Sequence, residues 1–317
     1  MKQHLAQFLI QAFDQQKFYV VTPDVGYGMW QPIKDHLGPY ALNVGITESH
    51  SVDFAAGLAQ QYPVFLYSMA GMVLLKGLEQ IKLSLAYDQA PVCLISAGGN
   101  FYYGPQGITH YASEDLALLA NYPSITRYYP HTPVELAWAG QKFLGQPKPS
   151  YIRLDPHLVH LAPPKIIQHH NQTFFAYQYP AQPQAFILVA GTHTLAKLLQ
   201  HPLAPTWAIF SCSEISPAYL AGLAQIFTQL SHSHQLPFIY FAETGPTNPE
   251  AAMLAKLLGP QVNFYSLNYG DSTSNYHIGS EEYVVAQNGL GREAIEELLQ
   301  MALHAPQERV VENGLSH

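Results

Sequence analysis

The stretch Leu42-Asn43-Val44-Gly45-Ile46-Thr47-Glu48, followed by Asp53-Phe54-Ala55-Ala56-Gly57-Leu58-Ala59, decides the fold. An apolar, strand-like run ends there on a carboxylate, and the small residues that follow are typical of a closely packed helix. Glu48 is therefore expected in a dry, apolar setting, where burial raises the pKa of a carboxyl group toward the range useful for proton transfer. The alternative is an ordinary first-turn acid that the helix dipole favours.

Strand-like and helix-like patterns alternate through the first half of the chain, with short connections. Such alternation predicts a mainly parallel sheet covered by helices, and ligands of such sheets bind beyond the carboxyl ends of the strands. Glu48 and the glycine-containing loop Gly98–His110 both follow strand ends, so we expect them to line one site. The strand-like runs are Phe18–Val21, Val64–Tyr67, Val92–Ser96, Ile125–Tyr129 and Tyr151–Leu154, with helical patterns at 29–37, 49–61, 72–87, 114–121 and 132–144.

The periodicity is lost from Pro156 to Pro183, where Pro, Gln and His accumulate. This composition is typical of a linker, and an edge hairpin near Thr173–Tyr179 is expected within it. A second alternation of strands and helices begins at Ala185. We therefore predict an α/β protein of two domains with mainly parallel sheets, at residues 1–158 and 184–305, with a linker at 159–183 and a flexible tail at 306–317.

Composition narrows the function. The chain has 317 residues, of which 48% are apolar and 11% charged, and its net charge is −8. This balance argues against nucleic-acid and membrane-surface binding, which need basic patches. Few charges together with 21 Tyr and 15 Phe indicate a surface that a partner covers in part.

Histidine and cysteine usage adds further limits. The 16 histidines are scattered, and neither His169-His170 nor His232-Ser233-His234 has a spaced set of other ligands, so no metal site is expected from them. Cys93 and Cys212 lie in apolar runs of different halves, which favours free buried thiols and a cytoplasmic location. Residues 1–16 form an amphipathic helical pattern rather than a signal peptide, and no apolar run reaches membrane-spanning length.

With these landmarks, the chain resembles the C-terminal half of transketolase, and more closely the separate C-terminal subunit of split, transketolase-like thiamine diphosphate enzymes. The resemblance runs from about Asp24 to Ile295. Each motif is short, and it is their order and spacing that is specific. The motifs are Asp24–Tyr27, Asn43–Glu48, Ala55–Ala59, Leu78–Ile81, Gly107–His110, Glu114–Ala117, Tyr151–Leu154 and Asn288–Gly291.

The resemblance implies a catalytic role for two residues. A glutamate at the position of Glu48 hydrogen-bonds the N1′ nitrogen of the cofactor's aminopyrimidine, which favours the tautomer that removes the thiazolium C2 proton. The histidine of the Gly-x-Thr-His segment, at the position of His110, faces the reacting carbon and moves protons on substrate hydroxyls. Histidine suits this role because an imidazole group can change its charge near neutral pH. A loop histidine bonded to backbone is the alternative for His110.

The pyrimidine pocket departs from the family pattern. In typical transketolases an aromatic cluster holds the ring, at positions that align with Ala70, Val73 and Lys76, and none of these is aromatic here. Methionine packs well against rings, so Met69 and Met72 offer apolar contact instead. The cofactor-binding residues that the resemblance implies are Glu48, Ile46, Met72, Val73, Lys76 and Gln80.

The substrate side departs as well. Gly98 and Gln106 align with positions where transketolases that act on sugar phosphates tend to carry His and Asp, so a sugar-phosphate donor is not expected. Tyr102 and Tyr103 add hydroxyl groups, unless they pack on a neighbouring subunit. Arg153 matches a position that contacts an anionic substrate group, with an ion pair to Asp or Glu as the alternative. The substrate residues are thus Gln106, Tyr103 and Arg153.

The family's Gly-Asp-Gly motif, which holds the diphosphate and its Mg²⁺, does not occur in the sequence. Tyr269-Gly270-Asp271-Ser272 is the nearest string and resembles a turn of the last domain. A diphosphate and a metal ion need several oxygen ligands. We therefore expect thiamine diphosphate to be shared with an N-terminal subunit that holds the Mg²⁺, in a dimer of heterodimers.

The resulting expectation is a subunit of a two-component enzyme that transfers a two-carbon ketol or acyl unit from a keto donor to an aldehyde acceptor. Specialised sugar or secondary-metabolite biosynthesis is the expected setting. Two alternatives remain. One is the β subunit of a 2-oxo acid dehydrogenase E1 component, which shares the fold and the glutamate. The other is a non-catalytic partner of the same fold.

Overall fold

The structure, a computed structural model, describes residues 1–155, 161–231, 236–245, 247–270 and 277–304. The expectations for the tail at 306–317, for His232 and His234, and for Asp271 lie outside these residues, as does the start of the predicted linker. Among the described residues, no helix combines the length and the apolar character needed to cross a bilayer.

Strands and helices alternate along the chain. The strands are β1 (Tyr19–Thr22), β2 (Ala41–Asn43), β3 (Val64–Met69), β4 (Val92–Ala97), β5 (Thr126–Tyr128), β6 (Ser150–Leu154), β7 (Lys165–His169), β8 (Gln172–Gln178), β9 (Ala185–Ala190), β10 (Trp207–Ser211), β11 (Glu214–Ile215), β12 (Phe238–Ala242) and β13 (Phe264–Asn268). The helices are α1 (Lys2–Gln15), α2 (Trp30–Leu37), α3 (Glu48–Leu58), α4 (Ala70–Gln80), α5 (Asp115–Leu119), α6 (Pro133–Gly145), α7 (Thr192–Leu199), α8 (Pro217–Leu230), α9 (Pro249–Leu258), α10 (Glu281–Val285) and α11 (Arg292–His304).

The first sheet has the strand order β11-β5-β6-β4-β3-β1-β2, and all of its neighbours are parallel except β11 and β5. Its central strands are continuous apolar runs because helices cover both faces. Helices α1, α2 and α6 cover one face with side chains such as Leu9, Ile33 and Phe143, and α3 and α4 cover the other with side chains such as Val52 and Leu74. The predicted fold class is confirmed.

The second sheet has the order β13-β12-β9-β10-β8-β7. The four strands from β13 to β10 are parallel, and β8 adds an antiparallel edge that continues into β7. The β7–β8 hairpin turns at His170 and Asn171, whose φ angles are +45° and +61°. Two successive residues with positive φ match the twist of a two-residue hairpin.

The structure differs from the sequence prediction at three places. The segment 159–183, predicted as a linker with an edge hairpin near Thr173–Tyr179, belongs to the second sheet from Lys165 onward, because the hairpin is formed by β7 and β8 and starts earlier than expected. The helix predicted at 72–87 consists of α4 followed by a π-helical stretch at Ile81–Tyr87. Strand β11 was not predicted. It follows β10 of the second sheet but crosses to pair with β5 at the edge of the first sheet.

Candidate active site

The candidate site lies at the carboxyl edge of the first sheet, where ligands of parallel sheets bind. Strand β2 leads to Glu48, β3 leads directly into α4, and β4 leads into the loop Gly98–His110. Helix α4 touches both of the other segments. A Cβ atom at Gly71 would lie 2.5 Å from the Tyr111 carbonyl oxygen, so α4 meets the chain next to His110 at backbone distance. At its other end, α4 carries Lys76 to Glu48.

Glu48 is the first residue of α3 and is 8% exposed. Its Oε2 lies 3.3 Å from Nζ of Lys76, whose own side chain is 58% exposed. The two helices come this close because Gly77 has no side chain. A Cβ atom there would already lie 3.4 Å from Cγ2 of Val52. A buried carboxylate at a helix N-terminus fits both sequence interpretations of Glu48, and the lysine contact is a feature that neither anticipated.

The other predicted cofactor residues differ in how far they face solvent. Ile46 is 76% exposed on the loop before α3, and Met72 is half-buried on the first turn of α4. Val73 is fully buried among core residues, so its side chain does not face the site. Gln80 is half-buried, and its Oε1 is a buried acceptor without a hydrogen bond among the described residues.

The loop after β4 is shaped by Gly98 and Tyr103. Gly98 has a φ of +72°, and a Cβ atom there would lie 2.1 Å from Cε2 of Tyr103. The Tyr103 ring thus fills the space that a side chain at position 98 would take. Tyr102 packs edge-on against Tyr103, with ring centroids 4.7 Å apart. Burial raises the pKa of Tyr103, and burial together with the negative neighbours raises that of Tyr102 to about 12, so both hydroxyls keep their protons.

His110 lies at the end of this loop and is half-buried. Its Nδ1 lies 2.9 Å from the Thr109 hydroxyl, and its ring centroid lies 6.0 Å from that of Tyr103. Gln106 is exposed on the same loop. Tyr103, Gln106 and His110 thus lie on one loop, whose end at His110 and Tyr111 meets the first turn of α4.

Arg153 does not reach this site. The side chain is fully buried, and its Nε and Nη2 lie 3.0 and 2.8 Å from the two carboxylate oxygens of Asp115. Its Nη2 also donates to the Ala112 carbonyl at 3.2 Å, and Nη1 donates to the Glu243 carbonyl. The ion pair that the sequence left open as the alternative is the arrangement found. A fully buried guanidinium that is paired in this way is not accessible to a substrate anion, which corrects the prediction of a substrate contact.

Sequence reasoning missed an ion pair beside the site. His193, on the first turn of α7, lies 3.1 Å from Oε1 of Glu281, and its side chain is 31% exposed. Burial lowers the pKa of His193, but the Glu281 hydrogen bond and nearby carboxylates outweigh it and raise that pKa to about 9. The same Glu281 acts on Tyr102 of the first domain. No motif marks His193, so the pair becomes visible only in the folded second domain, to which both residues belong.

A buried carboxylate also joins the two domains. Glu243 is 1% exposed and accepts hydrogen bonds from Nδ2 of Asn100, the Tyr129 hydroxyl and the backbone N–H of Thr194. The sequence signal for it was available, because Glu243 directly follows the buried strand β12. No group of three or more His, Cys, Asp or Glu side chains in the described part of the chain is arranged to hold a metal ion.

This geometry defines a two-domain α/β protein with a candidate ligand-binding site at the carboxyl ends of β2, β3 and β4. Residues 9–160 match the transketolase pyrimidine-binding domain, and this match spans the first of the two domains.

Two relatives by sequence are single subunits of transketolases. The chain is 32% identical over 114 residues to a subunit of the apulose-4-phosphate transketolase of Phocaeicola vulgatus, a match that covers 36% of each chain. It is 30% identical over 115 residues to the SqwH subunit of the 6-deoxy-6-sulfo-D-fructose transketolase of a Clostridium species, again 36% of each. The match thus spans only about a third of the length of these curated relatives.

Two solved structures share the fold of nearly the whole chain. A split-gene transketolase, described as an inactive β4 tetramer, superposes with a TM-score of 0.74 at 18% identity and covers 95% of this chain and 96% of its own. Transketolase from Campylobacter jejuni superposes with a TM-score of 0.68 at 14% identity, covering 94% of this chain but 46% of its own. The second domain therefore has the same fold as the corresponding part of those proteins.

Proposed function

We propose that this chain is the C-terminal subunit of a two-component, thiamine-diphosphate-dependent transketolase-like enzyme that transfers a two-carbon ketol unit from a keto donor to an aldehyde acceptor. The observation that carries the proposal is the buried carboxylate of Glu48, which α4 connects to the loop that carries His110. The relatives that are named as transketolase subunits support it.

The residues fit the aminopyrimidine end of the cofactor. Glu48 supplies a buried carboxyl group, and Ile46 and Met72 supply apolar surface next to it. Lys76 forms an ion pair with the Glu48 carboxylate in this structure, and this ion pair would have to break before the carboxyl group could bind a ring nitrogen of the cofactor. When bound, the cofactor supplies a carbon nucleophile for carbon–carbon bond chemistry. The part of Glu48 is to hold a proton at that ring nitrogen.

The other end of the cofactor needs a partner. A diphosphate with Mg²⁺ takes several oxygen ligands, and no group of three or more His, Cys, Asp or Glu side chains among the described residues is arranged to hold a metal ion. We infer that an N-terminal subunit holds the diphosphate and Mg²⁺ and that the two kinds of subunit form a dimer of heterodimers. The exposed Ile46, Leu75 and Leu83, which lie on or near α3 and α4, are apolar surface that such a partner would cover.

The substrate side rests on His110, Tyr103 and Gln106. The Thr109 hydroxyl engages Nδ1 of His110, so we expect Nε2 to exchange protons with substrate hydroxyls. The protonated Tyr103 hydroxyl and the exposed Gln106 amide are uncharged hydrogen-bonding groups. With Arg153 occupied by Asp115, these groups favour a donor and acceptor that carry hydroxyl groups rather than phosphate.

The test is a comparison of Glu48→Gln with Glu79→Gln, an exposed glutamate on α4 that serves as a matched control. Both variants are assembled with the N-terminal subunit and tested with hydroxypyruvate as donor and glycolaldehyde as acceptor. We expect Glu48→Gln to lower kcat by about 100-fold or more while assembly is retained, and Glu79→Gln to match the wild type. Unchanged turnover in Glu48→Gln would end the catalytic assignment.

A non-catalytic partner of the same fold is the second candidate. The specific observation in its favour is the Lys76–Glu48 ion pair, which stands where the family places an aromatic contact and a free carboxyl group. Calorimetric titration of thiamine diphosphate and Mg²⁺ into the assembled complex separates the two. Binding supports the enzyme, and an absence of binding supports the cofactor-free partner.

A further inference from the structure

The loop that carries His110 is anchored to the second domain by its own small apolar core. Phe101 and Tyr111 come from the loop, and Tyr269, Val284 and Leu290 come from the second domain. The Phe101 ring lies 5.0 Å from the Tyr111 ring and 4.7 Å from the Tyr269 ring. Because this core contains side chains from both regions, it holds the loop against the second domain.

Polar contacts add to this anchor at the segment that precedes α10. The Tyr111 hydroxyl donates a hydrogen bond to the His277 carbonyl, and the Gly279 N–H donates to the Gly104 carbonyl at 3.4 Å. A Cβ atom at Gly104 would lie only 2.5 Å from the Gly279 carbonyl oxygen. The backbone of the second domain therefore contacts the backbone of the loop at Gly104. Together with the Tyr111 bond, this contact flanks the turn that carries Gln106 and His110.

One side chain of the segment 277–281 also lies against the loop. Ile278 approaches within 3.4 Å of the place where a Cβ atom of Gly107 would be, yet it remains 65% exposed. Ile108, next to it in the loop, is 46% exposed. An apolar side chain so close to Gly107 limits how far the loop can move outward.

We propose that the segment 277–281 of the second domain positions His110, and that Tyr111 is the positioning residue that transmits this constraint. The inference rests on the proposed function, because it gives His110 a part in the reaction. Tyr111 follows His110 directly, so its hydroxyl bond to the second domain holds the neighbouring imidazole. A catalytic group displaced by about 1 Å commonly loses a large part of its effect.

The experiment compares Tyr111→Phe with Tyr265→Phe, a half-buried tyrosine of β13, in the complex with the N-terminal subunit. A neutral hydrogen bond contributes about 1 kcal/mol, which corresponds to a roughly five-fold change. We expect Tyr111→Phe to lower kcat about five- to ten-fold, with the affinity for thiamine diphosphate unchanged. Hydrogen exchange should become faster in the peptide that spans 104–111 and stay unchanged in α4. Tyr265→Phe should match the wild type in all three measurements.

A double-mutant cycle with His110→Ala decides whether Tyr111 acts through His110. If it does, Tyr111→Phe lowers kcat in the wild-type background and has no further effect in His110→Ala. Equal losses in both backgrounds, or an unchanged kcat and exchange rate in Tyr111→Phe, would overturn the positioning role. Ile278→Ala, which removes an exposed side chain and leaves the core intact, provides a second variant if Tyr111→Phe unfolds. It should show the same non-additivity.

Failure of the proposed function gives a different result. If His110→Ala itself keeps full activity, the histidine is not part of the reaction. Faster hydrogen exchange in Tyr111→Phe would then show that Tyr111 holds the loop against the segment 277–281 without a consequence for catalysis. If the complex has no transketolase activity at all, the hydrogen-exchange measurement still tests whether Tyr111 holds the loop against the segment 277–281. Faster exchange supports the structural half of the proposal, and an unchanged rate refutes it.

Discussion

Replacement of Arg153 by methionine is expected to destabilise the first domain strongly, because Arg153 is the partner of a fully buried carboxylate. Its guanidinium makes two contacts with Asp115 and donates to the Ala112 and Glu243 carbonyls. Methionine keeps most of the packing volume but leaves Asp115 without a counter-charge. Removing one member of a buried ion pair costs about 3–5 kcal/mol. At about 2–4 °C per kcal/mol for a domain of this size, Tm should fall by roughly 6–20 °C.

The same change should make stability depend on pH in a defined direction. Burial raises the pKa of Asp115, and Arg153 opposes that shift. Without the arginine, folded Asp115 holds its proton to a higher pH than it does in the unfolded chain. A carboxyl group whose pKa is raised by folding contributes stability at low pH that is lost as the pH rises. The deficit of Arg153→Met relative to the wild type should therefore be smaller near pH 5 than near pH 8.

Urea unfolding followed by circular dichroism at both pH values measures these differences. Arg292→Met, at an exposed position on α11, is the matched control and should differ from the wild type by less than about 0.5 kcal/mol. Adding Asp115→Asn to Arg153→Met should recover part of the loss, because the buried charge is gone. A near-wild-type unfolding free energy together with a raised KM for an anionic substrate would refute the reasoning and restore Arg153 as a substrate ligand.

Three further outcomes are expected. The raised pKa of His193 means that its ion pair with Glu281 contributes stability fully below about pH 6.5 and loses it as the pH rises through about 9. His193→Gln should therefore remove on the order of 1–2 kcal/mol at pH 6 and little at pH 10, as measured by denaturant unfolding. Gly98→Ala should cost about 1–2 kcal/mol because its φ is positive and the Tyr103 ring blocks a Cβ. The part of this stability loss that the Tyr103 ring causes should be mostly recovered in the double variant Gly98→Ala/Tyr103→Ala. Lys76→Met should change the free energy of unfolding by less than about 1 kcal/mol, since Lys76 itself is 58% exposed and solvent screens its charge next to the buried Glu48. The same variant should tighten thiamine diphosphate binding up to about five-fold, as measured by calorimetry.

The central strands of both sheets were predictable because buried parallel strands are continuous apolar runs. Strands β4 and β9 are buried at every position, so their apolar sequences predict strands without any knowledge of the neighbouring strands. Strand β11 has two residues and no period of its own. Its pairing depends on how the second domain returns to the first, which no local pattern records.

The candidate site was predictable to the extent that its residues follow strand ends. Glu48 and the loop Gly98–His110 are assigned by position along the chain, and the topology brings them to one edge. The Tyr103 ring over Gly98 and the ion pair of Lys76 with Glu48 were not predictable. Each depends on a side-chain conformation or a close helix contact that arises only when several elements pack together.

The crossing of β11 means that the boundary between the domains in space differs from the boundary along the chain. Cutting the chain after the β7–β8 hairpin would remove β11 and leave β5 as an open sheet edge, with unpaired backbone groups that invite aggregation. The first domain expressed alone is thus expected to aggregate rather than to fold as an independent soluble unit. A hinge motion of one domain against the other would also have to break this strand pair, so the pair resists such a motion.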